Sequence, residues 1–214
     1  MPSTLVHLGL AALIATALLS DHFDWRALVI VFAVVAFPEI DTFLGLWFDG
    51  AHRAYLHNLW VVLIPAILLA WDTRRRERSF VRERWGDWGV RVGWVSLVSL
   101  LFAHILLDAF FNGVNLFWPV HDSFYDLSGR LIFSTERGLV QTFIELDDPT
   151  ASVRGTTADT HYRTGVDPTS PGEPAEEDVE RIFPLADNGT LFVVMVSGYL
   201  VAAIRLVEVH VLDR

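Results

Sequence analysis

The feature that most constrains the fold of this chain is its division into five apolar blocks separated by charged stretches. The blocks are Thr4–Leu19, Ala27–Phe48, Leu59–Trp71, Val90–Phe111 and Leu191–Ile204. A helix needs roughly 20 residues to cross about 30 Å of hydrocarbon. The mean hydropathy of +0.39 also exceeds what a soluble domain usually shows. The pattern therefore predicts an all-α, multi-pass transmembrane helical bundle of about five membrane helices.

Charge and residue usage exclude several classes of function. The chain has 16 basic and 26 acidic residues, which give a net charge of −10. No nucleic-acid partner is expected, because such proteins need a basic face. The absence of cysteine excludes disulfides, a thiol nucleophile and thiolate metal sites. Because every basic residue is arginine and the loops are acidic, we expect a halophilic source.

The distribution of arginine predicts the orientation of the bundle in the cell membrane. Six arginines lie in the short loop Asp72–Gly89, and no other short loop has more than one. Basic loops face the cytoplasm. Counting spans from this loop places the N-terminus outside, the C-terminus inside, and the outer ends of all five helices on the extracytoplasmic side.

The sequence divides into three consecutive parts. Residues 1–146 form the predicted membrane-embedded domain, residues 147–189 an acidic extracytoplasmic loop, and residues 190–214 a last membrane helix with a cytoplasmic end. Between Asp147 and Glu180 there are nine acidic residues and almost no large apolar ones. Such a segment cannot bury enough surface to offset its ordering entropy, so a solvated or disordered loop is expected.

Ionisable side chains lie at the predicted outer end of four of the five blocks. They are His7, Glu39, Asp41, His52, Arg53, His57, His104 and Asp108. Ionisable groups inside membrane helices are energetically costly and are functional candidates by default. Taken singly, each has a structural interpretation, such as a helix cap or a histidine–aspartate hydrogen bond. Their convergence on one leaflet favours a shared site instead.

The residue types in this cluster predict a metal centre. His104 and Asp108 are four residues apart and share one helix face. Imidazole and carboxylate bind Zn²⁺, Mn²⁺ or Fe²⁺, and zinc is the commonest choice for hydrolysis. Arg53 can hold an anionic substrate oxygen. Of the other histidines, His121 lies on the outer side, whereas His22, His161 and His210 lie on the inner side or in the acidic loop.

The chain resembles the YdjM-like membrane-bound metal-dependent hydrolases over about residues 1–122. The matching motifs are Thr4-Leu5-Val6-His7, Phe37-Pro38-Glu39-Ile40-Asp41, the run from His52 to Asn58, His104-Ile105-Leu106-Leu107-Asp108, and Leu116-Phe117-Trp118-Pro119. The order of elements is also similar to that of the wider superfamily of zinc phospholipases C and single-strand nucleases. The fold implied is a helical bundle with metals held between helices.

The resemblance also implies roles for single residues. His7, Asp41, His57, His104 and Asp108 match metal-ligand positions, and His52 and Arg53 match the family's His-Arg run. Arg53, Glu39 and His52 are therefore the candidate catalytic residues. A second His-x-x-x-Asp motif is absent, so one or two divalent ions, with zinc preferred, are expected rather than three.

Two functions from different classes are compatible with the sequence. The first is a membrane-embedded metal-dependent hydrolase that cleaves a phosphodiester, such as a phospholipid headgroup linkage, with metal-activated water. The second is a non-enzymatic membrane protein, an ion- or proton-handling carrier or an assembly factor with a structural His/Asp cluster. A carrier needs polar residues through the whole membrane thickness. Because the inner halves of the first, third and fourth blocks are apolar, the one-sided site favours the hydrolase.

Overall fold

The computed structural model describes residues 2–145, 148–168 and 179–212. They form two compact units, which we describe separately. The helical unit comprises Pro2–Phe37, Leu59–His104 and Leu185–Arg214, and the loop-rich unit comprises Pro38–Asn58 and Ile105–Pro184. The chain passes between these units several times. The predicted division into three consecutive parts, 1–146, 147–189 and 190–214, stays a prediction.

Most of the described chain is helical, as the apolar blocks predict. The helices are α1 (Thr4–Leu19), α2 (Trp25–Ala36), α3 (Asp41–Leu44), α4 (Trp60–Arg74), α5 (Phe80–Ser99), α6 (Leu106–Phe111) and α7 (Gly189–Val207), with 3₁₀ turns at Ser20–His22, Phe37–Ile40 and Pro149–Ser152 and π-helical turns at Leu100–Ile105 and Glu208–Leu212. Polar side chains cap the starts of α1, α2, α5 and α7: Ser3, Asp24, Ser79 and Asn188 each accept a first-turn backbone N–H.

Within the described residues, four helical segments are long and apolar enough to cross a membrane. They are Thr4–His22, Trp25–Leu44, Phe80–Phe111 and Gly189–His210. The third apolar block instead forms α4, which has 15 residues. At 1.5 Å per residue it spans only about 22 Å, less than the hydrocarbon thickness. The membrane character of the chain is confirmed, whereas a fifth crossing by α4 stays a prediction.

The core of the helical unit is built from small side chains that allow close helix packing. Helix α1 packs against α2, α5 and α7. Its buried face carries Ala11, Ala12 and Ala15, all fully inaccessible to solvent. Small residues let helix backbones approach closely in a bilayer, where packing replaces the hydrophobic driving force. Helices α1 and α7 approach closely at Gly9 and Gly198, where a Cβ on Gly198 would lie 1.8 Å from the Gly9 carbonyl oxygen.

Asp72, near the end of α4, ties α4 to the start of α5. Its carboxylate accepts hydrogen bonds from the Ser79 hydroxyl at 2.7 Å, from the Phe80 and Val81 amides at 3.0 and 3.1 Å, and from Arg76 at 2.9 Å. The first turn of α5 has backbone N–H groups without helical partners, and Asp72 satisfies two of them. The hydrogen bond from Ser79, followed by those from the amides and Arg76, lowers the pKa of Asp72 to about 2.

Replacing Asp72 by asparagine is expected to lower the thermal unfolding midpoint in detergent by a few degrees above pH 3.8, the ordinary pKa of an aspartate. Because the folded-state pKa is depressed, the stabilisation is complete above that value and is lost as the pH falls through about 2. The difference between wild type and variant should therefore narrow on acidification. If the difference in unfolding midpoint between wild type and variant stayed constant down to pH 2, the stabilising role of the Asp72 carboxylate would be contradicted.

The loop-rich unit contains little regular structure apart from α3, α6 and one hairpin. Strands β1 (Leu131–Ser134) and β2 (Gly138–Gln141) pair antiparallel, with Leu131 opposite Gln141 and Ser134 opposite Gly138. Isolated bridges join Val114 to Tyr125 and Tyr125 to Val153. These bridges bring residues 112–126 together with the segment that begins at residue 148.

Residues 148–168, which belong to the predicted acidic loop, make polar contacts with residues 122–126. Asp122 accepts hydrogen bonds from the Thr157 amide at 3.0 Å and from its hydroxyl at 2.6 Å. The Phe124 amide donates to the Gly155 carbonyl at 2.9 Å, and Arg154 forms an ion pair with Asp126. Residues 169–178, the most acidic part of the predicted loop, lie outside the described residues.

Candidate metal centre

The turn that precedes α4 carries three of the predicted site residues in a tight, buried conformation. The Ala51 carbonyl accepts from the amides of Ala54 and Tyr55, and the Arg53 carbonyl accepts from the Asn115 amide at 2.9 Å. Arg53 itself has φ of +66°, a left-handed conformation that is uncommon for a residue with a long side chain. Such conformations persist only where the surroundings fix them, and they cluster at functional sites.

Asp41 lies between two histidines of this turn. Its Oδ1 is 2.8 Å from His52 Nδ1, and its Oδ2 is 2.8 Å from His57 Nδ1. The Leu56 amide also donates to Oδ2, at 3.1 Å. The side chains of Asp41, His52 and His57 are all buried. Each offers one possible metal-ligand atom, and these three atoms lie within 4.8 Å of one another.

Asp108, on α6, approaches the opposite nitrogen of His57. Its Oδ2 is 3.6 Å from His57 Nε2, too far for a hydrogen bond. Two ligands of one tetrahedral zinc ion, each about 2.0–2.1 Å from it, lie about 3.4 Å apart. The spacing of these two atoms therefore fits a pair of ligands better than a hydrogen-bonded pair.

Arg53 is paired within the protein. Its NH2 group donates to Asp108 Oδ1 at 2.8 Å, and its NH1 group donates to the Gly113 carbonyl at 3.0 Å and to Asn112 Oδ1 at 2.5 Å. The guanidinium lies over the ring of Tyr162, 5.0 Å from its centroid, and Arg53 is 1% exposed. In the structure the guanidinium of Arg53 is paired with Asp108, and the expectation that Arg53 holds a substrate anion stays a prediction.

The two imidazoles that share Asp41 differ in their affinity for a proton. Burial lowers the pKa of His52 and outweighs its hydrogen bond with Asp41. Burial also acts to lower the pKa of His57, but the charges of Asp41 and Asp108 outweigh it, so the pKa of His57 is raised. Burial raises the pKa of Tyr162.

The helical unit brings together the other two predicted ligands, His7 and His104. Their rings stack with centroids 4.0 Å apart, and both are fully buried. His7 Nδ1 donates to the Ala103 carbonyl at 2.7 Å, which makes Nε2 the nitrogen with the lone pair. Ala103 and His104 lie in the π-helical turn Leu100–Ile105, and π-turns inside α-helices are frequent at functional sites.

The predicted site residues thus form two buried groups, one in each unit. Asp41, His52, Arg53, His57 and Asp108 meet in the loop-rich unit, and His7 and His104 meet in the helical unit. Glu39 is half-buried on the 3₁₀ turn before Asp41, and His121 is exposed. That all five predicted ligands share one coordination sphere, or two adjacent ones, stays a prediction.

Several residues of the site were not predicted from the sequence. Asn112 and Gly113 accept hydrogen bonds from Arg53. Both residues directly follow the helix that carries Asp108, and this position in the sequence could have identified them as site residues. Tyr162 covers Arg53 and donates to the Asn112 carbonyl at 2.8 Å. It lies in the acidic segment, where no sequence pattern distinguishes it from its neighbours.

Fold and site together define an integral membrane protein of helices with buried histidine–aspartate groups. The chain belongs to the YdjM inner membrane protein family, whose sequence model matches residues 1–170. The match extends beyond residue 122, where the resemblance seen in the sequence motifs ends, and it includes the segment that carries Tyr162. Comparison with curated proteins and with solved structures gives no match.

Proposed function

We propose that this protein is a membrane-embedded metal-dependent hydrolase that cleaves a phosphodiester in an amphiphilic substrate. The observation that carries the proposal is the buried group in which His57 Nε2 and Asp108 Oδ2 lie 3.6 Å apart, with the opposite faces of both side chains held by Asp41 and Arg53. One or two divalent ions, zinc by preference, would polarise the phosphoryl oxygen and make water nucleophilic near neutral pH.

The residues of the chain supply the positioning that such chemistry requires. Arg53 fixes the Asp108 carboxylate through Oδ1, so that Oδ2 faces His57. Asp41 fixes the ring of His57 through Nδ1. Glu39 is half-buried and is the candidate for exchanging a proton with solvent. His104 precedes Asp108 by four residues in sequence, and it stays a predicted ligand together with His7, on which its ring stacks.

An apolar aromatic surface on the loop-rich unit favours an amphiphilic substrate. Tyr55, between Arg53 and His57 in sequence, stacks on Trp118 at 4.2 Å and lies 6.2 Å from Phe48. Phe48 and its neighbour Trp47 are 55% and 72% exposed. Aromatic side chains of this kind concentrate at the membrane–water interface, where lipid headgroup linkages also lie.

Metal analysis of the purified protein tests the proposal. We expect wild type to retain about one or two zinc ions per chain after mild chelation, and His57→Ala or His104→Ala to lose at least one. His22→Gln removes a histidine remote from both groups in sequence and should retain the wild-type content. Wild type should also hydrolyse a chromogenic phosphodiester or a phospholipid.

The outcomes separate the two classes of function. A wild-type protein that binds no metal would overturn the hydrolase proposal. Bound metal without hydrolysis of any phosphodiester would favour the ion-handling or assembly role instead. Loss of metal in His57→Ala but not in His104→Ala would show that the group in the helical unit is separate.

We also propose that the site faces the extracytoplasmic side of the cell membrane, with the C-terminus in the cytoplasm. The six arginines of the loop Asp72–Gly89 support this orientation. A reporter fused in that loop should read cytoplasmic, and one fused within residues 159–177 should read external. If both fusions reported from the same side, the five-span topology would fail.

A further inference from the structure

We infer that Asp41 is a positioning carboxylate shared by two histidines, and that His52 is a metal ligand through Nε2. This inference rests on the proposed metal centre and changes the assignment of two of its residues. The motifs suggested the reverse, with Asp41 as a ligand and His52 as a catalytic residue.

The oxygens of Asp41 are already occupied by nitrogen donors. Oδ1 accepts from His52 Nδ1 at 2.8 Å, and Oδ2 accepts from His57 Nδ1 at 2.8 Å and from the Leu56 amide at 3.1 Å. These are hydrogen-bond distances, shorter than the separation of two ligands on a tetrahedral ion. Asp41 therefore holds the two rings and is not placed to share an ion with them.

The hydrogen bonds to Asp41 fix the tautomer of each imidazole. An ionised carboxylate only accepts, so each Nδ1 must carry the proton, and in the neutral ring each Nε2 then carries the lone pair. This is the arrangement in which a metal-bound histidine donates its other N–H to a carboxylate. The single carboxylate of Asp41 thus leaves the Nε2 lone pair of both imidazoles available to a metal ion.

The environment of the Nε2 atom of His52 indicates that this atom binds a ligand. It is buried, and within the part of the chain that the structure describes it has no hydrogen-bond partner. A buried polar atom without a partner is rare and needs an explanation, such as an ion. The other ring nitrogen of His52, Nδ1, has two polar neighbours, since the Thr42 hydroxyl lies 2.9 Å from it and Asp41 Oδ1 lies 2.8 Å from it.

The geometry of the pair is compatible with ligation by both rings. His52 and His57 meet edge to face, with an interplanar angle of 82° and centroids 5.3 Å apart. Both belong to the turn that Arg53 fixes, and both are at most 5% exposed. We therefore assign His52, like His57, to the metal ligands and Asp41 to the layer behind them.

Zinc affinity measured by competition with a chromophoric chelator tests this assignment. His52→Gln and His57→Gln should lower the affinity to a similar extent, by far more than 100-fold, or remove the ion. Asp41→Asn should lower the affinity by about 10- to 100-fold, the usual effect of losing an outer carboxylate. The X-ray absorption spectrum of zinc-loaded Asp41→Asn should show the same number of histidine ligands as wild type.

A second readout does not depend on bound metal. In metal-free protein with ¹⁵N-labelled histidine, the neutral rings of His52 and His57 should both be Nδ1–H tautomers, and Asp41→Asn should disturb both. This spectrum also reports whether each variant is folded. The assignment would be overturned if His52→Gln bound zinc with wild-type affinity, or if Asp41→Asn were the only one of the three variants to lose zinc binding. A wild type that shows both tautomers but binds no metal would refute the proposed function and the ligand role of His52, while leaving Asp41 as the positioning group.

Discussion

Asp108→Asn is expected to produce the largest effect of any single substitution in the loop-rich unit. Arg53 and Asp108 are each 1% exposed, and Arg53 NH2 lies 2.8 Å from Asp108 Oδ1. Removing one partner of a buried ion pair leaves an uncompensated charge, which costs about 3–5 kcal/mol. The variant should therefore unfold at a clearly lower temperature in detergent. It should also lose bound metal, because the amide is a poorer ligand than the carboxylate.

Asp87→Asn is the matched control for this substitution. Asp87 also pairs with an arginine, Arg82, but their side chains are 73% and 51% exposed. Ion pairs at the surface contribute about 0–1 kcal/mol, so the control should unfold close to the wild-type temperature and keep its metal.

A double variant separates the structural role of Asp108 from its chemical role. In Arg53→Met/Asp108→Leu both charges are removed and the volume is roughly kept, which is often neutral for a buried pair. We expect much of the lost stability to return without any return of metal binding. If Asp108→Asn unfolded like wild type and kept its metal, both roles assigned to Asp108 would be wrong.

The sequence predicted the composition of the site better than the contacts within it. The spacing of His104 and Asp108 identifies a shared helix face, because helical periodicity is local. The partners of Asp41 and Arg53 depend on how the turn at residues 51–58 meets residues 105–115. Such contacts are between residues far apart in sequence, so residue types alone could not distinguish a ligand from the group that orients it.

For the fold, too, the sequence predicted the elements better than their contacts. Hydropathy identified the helices, because a bilayer requires long apolar segments whose backbone groups are satisfied internally. It also predicted a span for the block that forms α4, a helix of 15 residues, and this fifth crossing stays a prediction. The polar contacts of the acidic segment could not be predicted for a related reason. Asp122 and Asp126 hold residues 154–157 by polar contacts, which composition does not reveal.

Gly198→Ala is expected to disrupt the helical unit, because the added methyl group has no space. A Cβ at Gly198 would lie 1.8 Å from the Gly9 carbonyl oxygen and 2.5 Å from its carbonyl carbon. Both atoms belong to the backbone of α1, so no side chain can rotate away. Helices α1 and α7 would have to separate, and the hydrogen bond of 3.0 Å from the Tyr199 hydroxyl to the Leu5 carbonyl would be strained.

The thermal unfolding midpoint of Gly198→Ala in detergent measures this effect, with Gly189→Ala as the control in the same helix. Overpacking typically costs about 1–3 kcal/mol, and a rigid backbone neighbour places this site at the upper end or beyond. No atom lies within 4 Å of a Cβ at Gly189, so its variant should be as stable as wild type or slightly more so. Gly9→Ala should also destabilise, because its Cβ would meet the Met195 Cα at 2.6 Å. Since both glycines serve one crossing, the double variant should lose less stability than the sum of the two single losses. An unchanged midpoint in Gly198→Ala would show that α1 and α7 do not pack through these glycines.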